Sequence, residues 1–196
     1  MALMADMTGP HVFEQVEERP LTVDDLETMP DDGRRYELLD GSLLVTPAPG
    51  YRHQRVVLLL GMLLEEKCPE GFSVLPAPFA LRTSSTSELQ PDVLVAPDED
   101  FTETHLPVPP TLVVEVLSRS TALHDRNSKK ALYEELGVEC YWVIDPAIPS
   151  VEVHELDDEG HYQQIAEVKG SDAFEAERPF PVRVVPAELS KRRGDE

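Results

Sequence analysis

Leu112-Val113-Val114-Glu115-Val116-Leu117 is an almost continuous apolar run with a single carboxylate inside it. Such a run is typical of a central β-strand that is buried on both faces. A second apolar strand is predicted over residues 89–95, and it contains Asp92. If the two strands pair in antiparallel fashion, Asp92 and Glu115 face one another on one side of the sheet.

Buried carboxylates need a partner. An unpaired buried charge costs several kcal/mol or takes up a proton, so Glu115 requires a cation, a basic side chain or a proton. Two carboxylates a few ångströms apart are a site for Mg²⁺ or Mn²⁺, which prefer oxygen ligands. Two alternatives stay open on the sequence alone: Glu115 pairs with Arg119 or Arg126, and Asp92 is a turn residue where its strand begins.

Hydrophobic periodicity predicts further helices and strands along the chain. Helices are predicted over 21–29, 52–68 and 125–136, and further strands over 72–81, 111–117, 140–144, 151–156 and 161–168, with a hairpin over 36–46. Because apolar residues surround the axis of the helix over 52–68, that helix is expected to be buried on most sides. The order predicts a mixed α/β (α+β) domain over 21–188, with a flexible tail over 1–20 and a C-terminal tail over 189–196.

Composition limits the classes of function. The 196 residues carry 17 Lys and Arg against 38 Asp and Glu, a formal net charge of -21. This charge argues against a general nucleic-acid coat and against a polybasic membrane patch, because both require clustered Lys and Arg. Residues 111–142 are nearly neutral, with 4 basic and 5 acidic side chains, and are the first place to look for chemistry.

Cysteine usage and hydropathy predict the compartment. Cys68 and Cys140 lie far apart in the sequence and form no metal or disulfide pattern, as in reduced intracellular proteins. The longest apolar stretch, residues 56–64, is too short to cross a bilayer core of about 30 Å. The sequence therefore predicts a cytoplasmic protein without a membrane partner.

A series of short blocks in a fixed order resembles a known family. The blocks are Tyr36-Glu37-Leu38-Leu39-Asp40-Gly41, His53-Gln54-Arg55, Gln90-Pro91-Asp92-Val93-Leu94, Leu112-Val113-Val114-Glu115-Val116-Leu117-Ser118, Asp125-Arg126 with Lys129 and Leu132-Tyr133, and Tyr141-Trp142-Val143-Ile144-Asp145-Pro146. Together they resemble the Uma-two family of bacterial endonucleases, which is similar to the restriction-endonuclease-like PD-(D/E)XK nucleases. The resemblance implies a central mixed β-sheet flanked by helices, with a metal ion at the carboxylates.

The resemblance also assigns the catalytic carboxylates. Asp92 stands at the PD position and Glu115 at the acidic position of the following strand, while Glu37 corresponds to an early acidic residue. These assignments imply that Asp92, Glu115 and the carbonyl of Val116 hold Mg²⁺ (or Mn²⁺), and that Glu37 helps to position this metal or a second one.

The lysine of the motif is at a different sequence position in this chain. The superfamily places it two positions after the Glu, where this chain has Leu117, and Lys129 matches the lysine that the family carries on the next helix. Lys129 is then expected to orient the attacking water or to stabilise charge on the phosphate oxygens. A plain salt bridge between Lys129 and Asp125 is the alternative. His53 is expected to be hydrogen-bonded and close to substrate rather than a metal ligand, since no second His is spaced to help it.

The sequence thus predicts a Mg²⁺-dependent endonuclease, acting on DNA rather than RNA, that forms a homodimer. The homodimer and the nucleic-acid substrate are implied by the resemblance. Two alternatives are a catalytically inactive binding or regulatory module with a nuclease fold, and a hydrolase of a small nucleotide, which would not need a long basic groove.

Overall fold

The computed structural model describes residues 19–118 and 124–191, without the side chains of 124–126. The helices are α1 (Val23–Leu26), α2 (Tyr51–Lys67), α3 (Lys130–Leu136) and α4 (Pro186–Ser190), with a π-helical turn, His124–Lys129, directly before α3. The strands are β1 (Arg35–Leu39), β2 (Ser42–Thr46), β3 (Phe72–Pro76), β4 (Ala80–Ser84), β5 (Ser87–Leu89), β6 (Val93–Pro97), β7 (His105–Leu106), β8 (Leu112–Val116), β9 (Cys140–Asp145), β10 (Ser150–Leu156), β11 (Tyr162–Lys169), β12 (Phe174–Ala176) and β13 (Val182–Val184). The predicted mixed α/β class is confirmed.

A six-stranded mixed sheet forms the centre of the molecule, in the order β11-β10-β9-β8-β6-β3. Strands β8 and β9 run parallel, while the neighbouring pairs are antiparallel. A five-stranded sheet has the order β2-β1-β5-β4-β7, and β12 pairs with β13. No helix in the described part of the chain is long and apolar enough to cross a membrane.

Strand β8 is buried on both faces, as its sequence predicts. One face of the central sheet, including Val114, packs against α2 through Val56 and Leu60. The other face, including Val113, packs with Tyr133 of α3 in a second apolar cluster. Since successive side chains of a strand point to opposite faces, β8 takes part in both cores at once.

The two motif strands pair in antiparallel fashion, which was the condition for bringing Asp92 and Glu115 together. In the register of β6 and β8, Val93 lies opposite Val114. Asp92 directly precedes Val93, and Glu115 directly follows Val114. The same register therefore brings Asp92 opposite Glu115 at the end of the paired segment.

Two strands that were predicted as continuous are each divided at proline. The run over 89–95 consists of the end of β5, in the five-stranded sheet, and the start of β6, in the central sheet, with Pro91 between them. The run over 72–81 likewise divides into β3 and β4, on either side of the Ala77-Pro78 bond. Because proline cannot donate to a ladder, these are the points where the chain passes from one sheet to the other. Strand β3 lies at an edge of the central sheet, where proline is tolerated.

The expectation that the helix over 52–68 is buried on most sides is wrong. In α2 the residues that contact the core recur at helical spacing on one side, for example Val56, Leu60 and Leu64. Leu58 and Met62 lie on the opposite side and are 53% and 63% exposed. A helix that covers one sheet face buries only one stripe, even where apolar residues continue around it.

The C-terminal part contains elements that the sequence did not predict. Strands β12 and β13 and helix α4 follow the last predicted strand. Leu189 of α4 is buried in the core on the α2 side of the central sheet, so ordered chain continues past residue 188, where the predicted domain ends. The predicted N-terminal tail falls mostly on residues 1–18, outside the described residues.

Candidate active site

The structure brings the four predicted site residues together. Glu37 lies on β1, Asp92 directly before β6, Glu115 on β8 and Lys129 at the end of the π-helical turn, and each is at most 2% exposed. All four line one pocket of about 170 Å³, together with Arg35, His53 and Ser118. Glu37, on a strand of the predicted hairpin, is therefore buried in the pocket.

Lys129 connects two of the carboxylates. Its Nζ lies 3.0 Å from Oε1 of Glu37 and 3.0 Å from Oε1 of Glu115. All three side chains are buried, so the lysine supplies the cation that Glu115 was expected to need. The alternative ion pairs involve Asp125, Arg119 and Arg126, whose side chains lie outside the described residues.

Tyr133 fixes the orientation of Glu115. Its hydroxyl donates to Glu115 Oε1 at 2.7 Å from the first turn of α3, and the ring is fully buried. Burial raises the pKa of Tyr133 well above its ordinary value, and the charges of Glu115 and Glu37 raise it further. The hydroxyl therefore keeps its proton and remains a donor to Glu115 throughout the neutral range.

Asp92 is held by donors at both oxygens. Its Oδ2 accepts from the Val116 N–H at 2.8 Å and from His53 Nε2 at 2.9 Å, and its Oδ1 accepts from Arg35 Nη1 at 3.1 Å. Burial by itself raises the pKa of Asp92, but the hydrogen bond from His53 and the positive charge of Arg35 bring it below the ordinary value. Asp92 is thus a carboxylate at neutral pH.

Glu37 positions the loop that carries Asp92. Its Oε1 accepts from the Gln90 backbone N–H at 2.8 Å, two residues before Asp92. Arg35 binds the same loop through the Gln90 carbonyl at 3.1 Å. Although burial lowers it, the pKa of Arg35 is raised overall by Asp92, Glu37 and Glu115, so its positive charge is permanent in the site.

Arg35 and Tyr133 were not predicted as members of the site, although the sequence contains a signal for each. Arg35 precedes Glu37 by two positions on one strand, and residues at that spacing point to the same face. Tyr133 follows Lys129 by four positions, and such residues are neighbours on a helix. His53 is hydrogen-bonded, as predicted, and its Nδ1 has no hydrogen-bond partner within the described part of the chain.

Comparison with known proteins identifies the family. The model of the Uma2 family, described as "Putative restriction endonuclease", matches residues 23–188. The chain belongs to the Uma2 family. No curated protein matches its sequence. This Uma2 protein is similar in structure to a putative nuclease of DUF820 from Anabaena variabilis, with a TM-score of 0.64 and 15% identity over 87% of this chain and 97% of the other. At this identity the likeness shows a shared fold, which is restriction-endonuclease-like.

The oxygen donors of the Uma2 site are of the chemical type that binds a hard divalent cation. Asp92 and Glu115 supply carboxylates, and Val116 supplies a carbonyl on the side of β8 that faces Asp92, because the N–H and the C=O of one strand residue point the same way. Among the residues with described side chains, no three His, Cys, Asp or Glu groups form a complete metal cluster. Mg²⁺ accepts such a partial set, since it is usually held by one or two carboxylates together with water and substrate phosphate.

Proposed function

We propose that this Uma2 protein is a Mg²⁺- or Mn²⁺-dependent endonuclease that hydrolyses phosphodiester bonds of DNA. The observation that carries the proposal is the buried Lys129, placed between Glu37 and Glu115 in the pocket that also contains Asp92. Burying three carboxylates together with a lysine and an arginine costs stability, and such clusters of ionisable groups are common at functional sites.

Asp92 and Glu115, with the Val116 carbonyl, would hold the ion. When bound, Mg²⁺ supplies positive charge at the phosphate oxygens and acidity toward water. Arg35 and His53 hold Asp92 in one orientation, and Tyr133 and Lys129 do the same for Glu115. Both carboxylates are therefore fixed before substrate arrives, which reduces the reorganisation that binding requires.

Lys129 is the catalytic cation of the proposal. Its ammonium group lies in a pocket shielded from water, where a positive charge near phosphate oxygens is worth more than at the surface. There it would stabilise the negative charge that develops on the phosphate during attack, or orient the attacking water. Glu37 acts through Lys129 and the Gln90 N–H, and is a positioning residue.

The experiment is cleavage of plasmid DNA with Mg²⁺, Mn²⁺ or EDTA. Asp92→Asn, Glu115→Gln and Lys129→Met should abolish cleavage, and EDTA should abolish it in the wild type. Glu66→Gln and Lys67→Met are matched controls, because these residues form an exposed ion pair on α2. Equal activity in all five variants would overturn the proposal.

A non-catalytic module is the second candidate, and one observation favours it. The described contacts already compensate the carboxylates internally, through Lys129, Arg35 and the donors at Asp92. Titration calorimetry with Mn²⁺ separates the two candidates. The enzyme should bind Mn²⁺ and lose binding in Asp92→Asn, whereas a module that lacks metal chemistry should give no heat of binding.

The homodimeric state and the cytoplasmic location are carried into this proposal as sequence-based expectations. Size-exclusion chromatography with light scattering measures the first of them directly.

A further inference from the structure

Positive charge without an acidic partner is concentrated in one region. Most of the Lys and Arg side chains in the described ranges form ion pairs with carboxylates. Among the Lys and Arg residues whose side chains are described, those that form none are Arg52, Arg55, Lys130 and Lys191. Two of them, Arg52 and Arg55, lie in the first turns of α2, and Arg55 Nε donates to the backbone carbonyl of Lys191 at 3.4 Å. In a chain of net charge -21, such a cluster attracts anions locally.

The cluster borders a cleft of about 230 Å³. Tyr51, Arg52 and Arg55 form one wall, and the turn over 146–149 forms the other. The Tyr51 side chain is 65% exposed, so a large aromatic ring is presented beside the two guanidinium groups. Asp145, at the start of this turn, is engaged by it, since its Oδ1 accepts from the N–H groups of Ala147 and Ile148.

The cleft lies next to the candidate active site, and the first turn of α2 stands between them. Gly50 and His53 line the active-site pocket, while Tyr51, Arg52 and Arg55 line the cleft. Neighbouring residues of a helix point about 100° apart, so the first turn of α2 separates the two cavities and contributes to both. A chain molecule with a phosphate in the pocket can therefore continue directly into the cleft.

We propose that the cleft binds an unpaired nucleic-acid strand next to the cleaved phosphodiester, with phosphates at Arg52 and Arg55 and a base stacked on Tyr51. The proposal rests on the proposed endonuclease function and names its substrate class. Cationic grooves with an exposed aromatic ring are typical of single-strand binding, because the face of an unpaired base is open for stacking. A base inside a duplex is already stacked on both faces. The favoured substrate is thus a single strand, or a duplex with an unpaired segment.

Binding to a labelled single-stranded 12-mer, measured by fluorescence anisotropy in EDTA, tests the cleft without cleavage. Arg52→Ala/Arg55→Ala should weaken binding by about 10-fold or more and flatten its dependence on salt. Tyr51→Leu should weaken single-strand binding by about 10-fold and leave binding of a blunt 12-mer duplex nearly unchanged. Arg178→Ala/Arg183→Ala is the matched control for charge, since both arginines are exposed and ion-paired elsewhere, and it should bind like the wild type.

Three results of the binding assay would overturn the proposal. These are wild-type protein that binds no single strand, equal weakening in the charge control, and a Tyr51→Leu variant that loses duplex and single strand equally. The thermal unfolding midpoint of each variant should match that of the wild type, because these side chains lie at the surface.

A small substrate distinguishes a loss of strand binding in the cleft from a loss of phosphodiester hydrolysis in the active site. Bis(p-nitrophenyl) phosphate with Mn²⁺ needs only the active-site pocket. Arg52→Ala/Arg55→Ala should hydrolyse it at the wild-type rate while losing oligonucleotide cleavage through a higher KM. A matched loss on both substrates would contradict a separate strand-binding cleft. Wild-type protein that hydrolyses neither substrate but binds the single strand through the cleft would contradict the endonuclease and leave the cleft supported.

Discussion

The ammonium nitrogen of Lys129 lies 3.0 Å from a carboxylate oxygen of Glu115, and both side chains are buried. The motif of the superfamily would place a lysine at position 117, but Leu117 packs in the apolar cluster on the α3 side of the sheet. The turn before α3 thus delivers a lysine amine to the carboxylate of β8 from a different element. This turn is π-helical, a geometry that is frequent at functional sites.

Removing the Lys129 charge should strongly destabilise the fold. Lys129→Met would leave Glu37 and Glu115 buried without the cation that contacts both. Breaking such a buried pair costs about 3–5 kcal/mol. Urea unfolding of metal-free protein measures the free energy of unfolding, and Lys67→Met, in an exposed pair, should lower it by less than about 1 kcal/mol. Similar losses in the two variants would contradict a buried ion-pair cluster.

Tyr133→Phe should impair both the stability of the fold and the activity of the site. The variant keeps the buried ring but removes the hydroxyl that donates to Glu115, which should cost about 1–3 kcal/mol. Because Glu115 then loses a fixed orientation, kcat should fall about 10-fold with little change in KM. Tyr36→Phe is the control, since the Tyr36 hydroxyl binds exposed Asp32 outside the pocket. A Tyr133→Phe enzyme with wild-type kcat would show that this hydrogen bond has no part in catalysis.

Asp92 should make the stability of metal-free protein depend on acid pH. Its pKa in the fold lies below the ordinary value of 3.8, so ionised Asp92 adds stability above about pH 4. That contribution is lost as the pH falls through the lower pKa of the folded state. Asp92→Asn should therefore lower the free energy of unfolding more at pH 7 than at pH 3, as measured in urea with EDTA. A penalty that is the same at both pH values would contradict an ionised, hydrogen-bonded Asp92; Asp24→Asn, exposed on α1, serves as control.

The two cysteines should react at very different rates. Burial raises the pKa of the Cys140 thiol to about 12, and Cys140 lies in the core of β9. Cys68 is half-buried at the end of α2, and burial also raises its pKa. A disulfide reagent at pH 8 should modify Cys68 in the native protein and Cys140 only on unfolding, as followed by mass spectrometry. Rapid labelling of Cys140 in native Cys68→Ser protein would contradict this placement.

The local sequence predicted a helix or strand correctly where a single hydrophobic pattern covered that whole element. The hairpin at Asp40-Gly41 follows from turn chemistry, and the buried strand β8 follows from its continuous apolar run. The passage of the chain from one sheet to another at Pro91 did not follow, because the two sheets are joined by contacts that short-range patterns do not contain. Strands β12 and β13 have only three residues each, too few to show a period.

The acidic residues of the candidate site could be predicted from the sequence, but the side chains that bind them were predicted only in part. Glu115 was conspicuous because a carboxylate in an apolar run needs compensation, and Asp92 followed from the pairing. Arg35 and Tyr133 have ordinary neighbours in the sequence, and their role comes from positions that only the packed structure defines. The basic cleft could not be predicted for the same reason, since the turn over 146–149 faces Arg52 and Arg55 only in the folded chain.

The most direct test of the account is the single-turnover rate of cleavage of an end-labelled single-stranded oligonucleotide with Mg²⁺. Glu115→Gln keeps the size of the side chain and removes its charge. We expect a rate at least about 100-fold below that of the wild type, no cleavage by wild type in EDTA, and an unchanged rate for Glu66→Gln. A Glu115→Gln rate equal to that of the wild type in Mg²⁺ would contradict the central claim that this buried carboxylate cluster is the active site.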